Sequence, residues 1–301
     1  MRKVMLSTWG IVKETVAEFI EDDSFSYASS IAFSTIFSLP AILLIALYIG
    51  STFYERNVVQ DELINQVGRL IGHDTAKGLD GILMQAAIEN SNWWARAVGI
   101  TTLLVSATTV FMSLQSSLNK IWGIKPKPKR GWVKYILNRL ISLAMVMSFG
   151  FILLVSLVVD TLLVVFQDLV SRVLAGATLY FVTALNLLIS LGFVTVIFGL
   201  LFKVLPDAKI KWRHVWVGAL ITTLLFTFGK YLIGFYLGNS SFNSAYGAAG
   251  SLVIILLWVY YSTVIFLFGA EFTSVYAKFS GAAIQPYSNA VKVQIVEVEK
   301  R

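Results

Sequence analysis

Six apolar runs separated by polar gaps dominate the pattern of hydrophobic and polar residues along the chain. Each run holds few charges and reaches the roughly 20 apolar residues that a membrane-spanning helix needs. Because water is absent there, backbone N–H and C=O groups must pair within each segment, which favours helices. We therefore predict an all-α integral membrane protein with six transmembrane helices, at residues 28–50, 94–117, 139–166, 179–202, 215–237 and 248–277.

Shorter amphipathic patterns surround these runs. Residues 53–92 carry apolar side chains at helical spacing, namely Val59, Leu63, Val67, Leu70 and Ile71, and then Leu79, Ile82, Leu83 and Ala86. We predict two short helices that cover the outer face of the bundle, and we call this segment the cap. We favour the interpretation that the cap lies on the bundle or on the lipid interface. The alternative is that it forms a lid or a partner site.

The two ends of the chain are predicted to lie outside the spans. Residues 4–25 suggest an interfacial helix, so that residues 1–27 form an N-terminal amphipathic segment. Residues 28–277 form the six-helix domain with its cap, and residues 278–301 form a tail. The tail sequence VKVQIVEVEKR alternates apolar and polar residues, which fits either a strand or a disordered segment.

Composition agrees with a membrane protein. Of the 301 residues, 57% are hydrophobic and 14% are charged, whereas soluble domains carry about 25% charged residues. The chain has no cysteine, which excludes disulfides, cysteine-based zinc sites and a thiol nucleophile. The first 25 residues lack the short apolar core and the cleavage site of a secretory signal.

Basic residues set the expected orientation. Of the 24 lysines and arginines, 18 lie on the side that carries both termini, and only four lie on the other side. This bias places both termini in the cytoplasm. The basic segment KPKPKRGWVK at 125–134 belongs to a short loop on that side, where it meets anionic headgroups, so we expect membrane lipids as partners and no nucleic acid.

Polar side chains follow one face of two predicted spans. The first span carries Ser26, Ser30, Ser34 and Ser38, followed by Pro40, and the second carries Thr102, Ser106, Thr109, Ser113 and Ser117. Close packing between helices is the favoured interpretation, because small residues and hydroxyls stabilise such contacts. A polar substrate path is the alternative, since broken helices often border transport cavities. Further candidates for such a path are Asn186, Trp258 and Tyr261.

Charged residues within the spans are functional candidates. Arg96, Asp160 and Lys230 fall at the same outer depth and are predicted to form a polar cluster. Glu271 lies 23 residues after Ala248, which places it near the inner end of the last span. We expect an anchoring role for Glu271 with Arg139, Lys203 or backbone N–H groups as its partner, and a gate is the alternative.

Three segments carry a resemblance to a known family. They read IAFSTIFSLPAILLI, WVGALITTLLFTFGKYLIGFYL and SAYGAAGSLVIILLWVYYSTVIFLFGAEF. They resemble the YihY/virulence factor BrkB family, over about residues 15–280. The resemblance implies a bacterial inner-membrane protein with six spans, with proposed roles in export or flipping of lipids or other solutes and links to virulence. An older ribonuclease label of the family does not suit this chain, because His73 and His214 are predicted on opposite sides of the membrane and cannot share a metal site.

The leading functional hypothesis is a transporter, flippase or exporter of a lipid or another amphiphilic solute. No nucleotide-binding motif GxxxxGK[ST] is present, and we expect no cofactor, no metal and no enzymatic activity. The alternative is a scaffold for envelope assembly that acts through the cap, residues 53–92. A homo-oligomer or an envelope partner would use the same segment.

Overall fold

The computed structural model describes residues 8–71, 76, 93–127, 140, 144, 178–238, 250–282 and 284–293. Seven helices and four short strands lie within these ranges. The helices are α1 (Thr8–Glu21), α2 (Ser24–Gly50), α3 (Arg56–Ile71), α4 (Trp93–Ile121), α5 (Thr178–Val204), α6 (Trp212–Gly238) and α7 (Gly250–Phe279). The strands are β1 (Ile124–Pro126), β2 (Ala208–Lys209), β3 (Gln285–Pro286) and β4 (Ala290–Lys292).

Four helices in the described ranges are long and apolar enough to cross a membrane. They are Ser24–Gly50, Leu187–Val204, Trp212–Ile233 and Leu252–Phe279. The predicted second span is a helix of 29 residues, α4, but its hydroxyl and amide side chains leave it less apolar than the other four. The predicted third span, 139–166, lies almost wholly outside the described residues. The all-α membrane class is therefore supported, and four of the six predicted spans meet this criterion among the described residues.

Helix α7 is the centre of the packing. It contacts α6, α2 and α1 most extensively, while α5 packs on α6 and α2 packs on α4. Aromatic rings fill the α5–α7 contact, where the Phe202 and Phe266 rings stack at 5.1 Å. The predicted N-terminal helix is confirmed as α1, and it packs along α7 with Phe19 against Phe268.

Helices α6 and α7 approach closely through a reciprocal pair of contacts. Gly218 on α6 faces Thr273 on α7, and Gly269 on α7 faces Thr222 on α6, so that a Cβ at either glycine would overlap the facing hydroxyl. Each threonine hydroxyl also donates to the glycine carbonyl of its own helix, at 2.7 Å in both cases. The small glycines thus allow a near backbone contact, as in other membrane helix pairs.

Two small antiparallel sheets lie at one end of the helices, which we call the strand end. Strand β1 pairs with β4, and β2 pairs with β3. Gly123 precedes β1 with φ +63°, and its carbonyl accepts a hydrogen bond from the Val293 N–H at 2.8 Å. Val291 and Lys292 lie in β4, so the strand prediction is confirmed for the start of the tail.

The first half of the cap is confirmed as α3. Val59 and Leu63 are buried against Ala46 and Leu47 of α2, at the end of the bundle opposite to the strand end. The second predicted cap helix lies almost entirely outside the described residues.

Candidate functional site

A large cavity of about 1280 Å³ lies at the strand end, among α1, α4, α7 and the strands. Its described lining is mostly polar and comes from sequence positions far apart. The lining residues are Glu18, Glu21, Asp22, Met112, Gln115, Ser116, Asn119, Lys120, Ile121, Trp122, Gly123, Ile124, Lys125, Pro126, Asp207, Ser274, Lys278, Ile284, Lys292 and Val293.

The charges in this lining balance. Four are acidic, Glu18, Glu21, Asp22 and Asp207, and four are basic, Lys120, Lys125, Lys278 and Lys292. The Lys278 ammonium pairs with the Glu18 carboxylate at 2.7 Å and so ties α7 to α1. A cavity with both signs of charge suits a polar group that carries both signs, or a dipolar one, better than an isolated ion.

A buried amide–carboxyl pair builds the far wall of the cavity. The Asn119 amide donates to an Asp207 carboxylate oxygen at 3.0 Å, and the Asp207 backbone N–H donates to the Asn119 side-chain oxygen at 2.8 Å. The Tyr287 N–H donates to the Asp207 carbonyl at 3.1 Å. This network joins the end of α4 to the α5–α6 connection and to the β3 region. Buried polar groups need hydrogen-bond partners, so the contacts of the network hold these three elements in a fixed arrangement.

Sequence reasoning missed the α4 face that lines the cavity. Met112, Gln115, Ser116, Asn119 and Lys120 recur at the spacing of one helix face. The available signal was Gln115 followed four residues later by Asn119, two amides at the end of a predicted span. The hydroxyl stripe that drew attention instead lies on other faces of α4.

Glu271 lies behind the cavity wall, fully buried at 0% exposure on α7. Trp122 covers one side, because its indole N–H donates to the Ala270 carbonyl at 3.1 Å. Gly269 and Ala270 were predicted to be small enough for another helix to approach and cover the acid, and this is confirmed.

Neither oxygen of Glu271 forms a hydrogen bond with a described group. The expectation that Lys203 pairs with it is wrong, since the Lys203 ammonium bonds the Ile210 carbonyl and lies over the Trp212 ring. Arg139, the other predicted partner, lies outside the described residues. The charged groups that act on Glu271 are Asp22, Glu18 and Lys278.

Asp22 connects Glu271 to the cavity. It sits in the short turn between α1 and α2, just before Asp23, whose backbone is left-handed with φ 54°. Burial raises the pKa of the Asp22 carboxyl, and the Glu18 and Glu21 carboxylates add to this rise. Glu271, as a hydrogen-bonding neighbour, and the Lys120 ammonium oppose it. Asp22 and Glu271 are neighbours, but neither oxygen of Glu271 has a formed hydrogen bond among the described residues.

The hydroxyl stripes of α2 and α4 meet each other away from the cavity. The Ser38 hydroxyl, on α2, donates to the Ser106 carbonyl, on α4. Pro40 follows Ser38 by two residues, and α2 continues as a helix through it. Other hydroxyls bond within their own helix, Ser34 to the Ser30 carbonyl and Thr109 to the Val105 carbonyl. Thr102 is exposed and Ser113 is half-buried. None of the predicted path residues is among the described lining residues of the cavity.

The remaining candidates lie apart from the cavity. Trp258 packs against Phe226, with ring centroids at 6.2 Å, in a cluster with Leu43 and Ile255. Tyr261 is half-buried and its hydroxyl lies close against Gly229, next to the half-buried Lys230. Asp160 and the side chains of Arg96 and Asn186 fall outside the described residues, so the outer cluster remains a prediction.

Metal ligands do not gather in the part of the chain that the structure describes. No group of three or more His, Asp or Glu side chains there has the arrangement of a metal site. His214 is buried against the Tyr276 ring, with centroids at 5.6 Å.

Comparison with known proteins gives one family and several relatives. The family model described as Virulence factor BrkB matches residues 15–293. The UPF0761 membrane protein of Verminephrobacter eiseniae (strain EF01-2) is 28% identical over 269 residues, which cover 88% of this chain and 62% of that protein. The UPF0761 membrane protein of Tolumonas auensis (strain DSM 9187 / NBRC 110442 / TA 4) is 32% identical over 180 residues, 59% of this chain and 56% of that protein.

The UPF0761 membrane protein of Stenotrophomonas maltophilia (strain R551-3) is 28% identical over 267 residues, which cover 87% of this chain and 59% of that protein. The chain thus spans less than two thirds of the length of these relatives. No solved structure matches it.

Proposed function

Because the chain belongs to the virulence factor BrkB family, we propose that it is a membrane transport protein that moves a lipid or another amphiphilic solute. The relatives are named membrane proteins, which supports a location in a membrane. Their names do not identify a transported solute. We further propose that it lies in the bacterial inner membrane with the strand end and both termini on the cytoplasmic side, in line with the excess of basic residues there.

The observation that carries the transport proposal is the cavity at the strand end. Its volume of about 1280 Å³ exceeds the roughly 300–1,000 Å³ of ordinary small-molecule sites. Its wall carries polar and charged side chains, and one of the helices that line it, α7, is long and apolar enough to cross a membrane. A polar headgroup fits such a cavity while its apolar chain stays among the helices or in lipid, which is what transfer of an amphiphile requires.

The balanced lysines and carboxylates of the wall favour a headgroup that is itself polar or zwitterionic. The four lysines and Glu21 are exposed, whereas Glu18 and Asp22 are half-buried and Asp207 is buried, and such a headgroup presents both signs of charge to them at once. Ser116 is the exposed small side chain on the α4 wall, so it marks the place where bulk would obstruct entry.

The scaffold alternative has less support. It depends on the cap, and the described part of the cap, α3, uses its apolar residues Val59 and Leu63 against α2 within the same chain. The cavity plays no part in a scaffold, whereas a transport protein needs one.

Lipid and solute transfer in reconstituted vesicles tests the proposal. The protein is placed in vesicles of phosphatidylethanolamine and phosphatidylglycerol, and transfer of labelled phosphatidylethanolamine between leaflets is followed. We expect transfer above the protein-free control, and we expect Ser116→Trp to slow it by narrowing the cavity at the α4 wall.

Val105→Trp is the matched control, because Val105 is exposed on the same helix and does not line the cavity. Transfer no faster than in protein-free vesicles, for labelled lipids and for amphiphilic solutes alike, would refute the transport proposal. Equal loss in both tryptophan variants would refute the role of the cavity.

A further inference from the structure

Glu271 is a buried acid that the packing of the helices alone does not explain. Two contacts hold this part of α7 in place: Gly269 and Thr273 pack against α6, and the Trp122 indole N–H donates to the Ala270 carbonyl. Neither contact supplies a cation or a donor to the carboxyl group, whose two oxygens are without a hydrogen bond among the described residues.

The charges around Glu271 are mainly of its own sign. From α1 and the following turn come Glu18 and Asp22, and from its own helix comes Lys278, whose ammonium is already bound to Glu18. Helix α4 contributes Lys120, which acts on Asp22.

These surroundings disfavour two ionised carboxylates side by side. A buried carboxylate without a partner costs several kcal/mol, and such a group takes up a proton instead. When two carboxyl groups share a site, one of them holds its proton while the other ionises. The pair then carries one negative charge and one proton. Either the Asp22 or the Glu271 carboxyl group can hold that proton.

Access to this proton runs through Asp22. Asp22 lines the cavity, whereas Glu271 lies behind the wall, and Ser274 and Lys278, one and two turns further along α7, also face the cavity. A proton entering from the cavity therefore reaches Asp22 first and Glu271 second. This arrangement has the order expected of a proton relay, with an exposed entry group and a buried acceptor.

We propose that Asp22 and Glu271 form a single-proton binding site that opens to the strand-end cavity through Asp22 and exchanges its proton when a cationic group occupies the cavity. A cation next to Glu18, Glu21 and Asp22 stabilises the fully ionised pair, so the proton leaves through the cavity; when the cation departs, a proton returns. The second half of this proposal rests on the proposed transport function, and the first half does not.

Infrared spectroscopy on the purified full chain tests the proton site without any transport. The carbonyl stretching band of a protonated carboxyl is recorded as a function of pH. We expect this band at neutral pH in the unmodified protein and its loss in Glu271→Gln. Glu21→Gln, which removes an exposed carboxyl of the same cavity wall, is the matched control and keeps the band.

Asp22→Asn provides a second variant in case Glu271→Gln folds poorly. It keeps the band but moves the pH midpoint at which the band disappears, because the partner charge is gone. The proton site is refuted if the folded unmodified protein has no such band at neutral pH, or if the band survives in Glu271→Gln. An unmoved midpoint in Asp22→Asn refutes the pairing.

Vesicle flux under an imposed pH gradient tests the exchange. With labelled phosphatidylethanolamine, whose headgroup carries an ammonium, we expect the gradient to change the rate of the unmodified protein and of Glu55→Gln, an exposed carboxyl away from the cavity, and to have no effect on Glu271→Gln. If the flux is the same with and without the pH gradient in the unmodified protein and in both variants, the coupling to protons is refuted. That result does not contradict the transport proposal. Absence of any flux refutes the transport proposal and with it the coupling, while the infrared result still decides the proton site.

Discussion

The two ends of the helices are built on different principles. At the end that carries α3, Val59 and Leu63 pack on Ala46 and Leu47 through apolar contacts. At the strand end, α1, α4 and α7 surround a cavity whose wall holds a buried amide and a buried carboxyl group, and α6 packs closely on α7 through glycines. Apolar contacts tolerate small shifts, whereas close-packed glycines and hydrogen-bonded networks fix one arrangement. The strand end is therefore the more sensitive end and the one suited to a site.

The largest expected effect comes from adding bulk between α6 and α7. Gly269→Leu should destabilise the folded protein by more than about 3 kcal/mol or prevent its isolation, because the side chain overlaps Thr222 and the helices must separate. Thermal unfolding and the monodisperse fraction in detergent measure the effect.

Gly192→Leu is the control for that substitution. Gly192 is a glycine of α5 with no atom within 4 Å of a Cβ placed there. An equal loss of stability in Gly269→Leu and Gly192→Leu would mean that the effect does not come from the close α6–α7 contact.

A smaller effect is expected from the buried amide at the cavity wall. Asn119→Ala should cost about 2 kcal/mol, because it leaves the Asp207 backbone N–H without its acceptor in a buried place. Asn65→Ala, an exposed asparagine on α3, should change the unfolding free energy by less than about 0.5 kcal/mol. If Asn119→Ala lowers the unfolding free energy no more than Asn65→Ala does, the Asn119–Asp207 network does not stabilise the strand end.

The α3 end should respond locally. Val59→Ala removes two buried methyl groups and should cost about 1.5 kcal/mol, with faster hydrogen exchange confined to α3. Val58→Ala is a matched control, since Val58 is 50% exposed and Val59 is 3% exposed. Faster exchange at the strand end in Val59→Ala would contradict the separation of the two ends.

The smallest effect is the pH dependence of Asp22. Its pKa is raised in the folded protein, so the folded state holds this proton more tightly than the unfolded chain, and that contribution to stability is lost as the pH rises above the ordinary value. Asp22→Asn should therefore unfold at a higher temperature than the unmodified protein at about pH 7, with the difference closing toward about pH 4.

Asp61→Asn on the exposed surface of α3 is the control for this pH series and should show no such difference. A difference for Asp22→Asn that grows toward low pH would have the wrong sign for a raised pKa.

The sequence predicted well what depends on one segment at a time. Apolar length alone located α2, α5, α6 and α7, helical spacing located α3, and the motif segments pointed to the family, which is confirmed. Depth counting put Glu271 toward the inner end of the last span; it lies eight residues before the end of α7, and the side of the membrane stays a prediction.

What the sequence could not predict depends on residues far apart in the chain. Asp22 meets Glu271, and Asn119 meets Asp207, only after several helices have packed, and no spacing rule connects such positions. Pairing of β1 with β4 is of the same kind. The hydroxyl stripes misdirected attention because a serine or threonine that bonds its own helix carbonyl has the same spacing as one that lines a path.

The reciprocal glycine–threonine contacts determine which parts of the molecule are free to move. With Gly218 against Thr273 and Gly269 against Thr222, axial sliding of α7 along α6 in either direction drives a threonine into the helix backbone at two places at once. The two helices therefore form one rigid body, and any widening of the cavity has to come from α1 or α4 swinging away from it. The Lys278–Glu18 ion pair and the Phe19–Phe268 ring contact join α1 to α7, so a movement of α1 would have to break both.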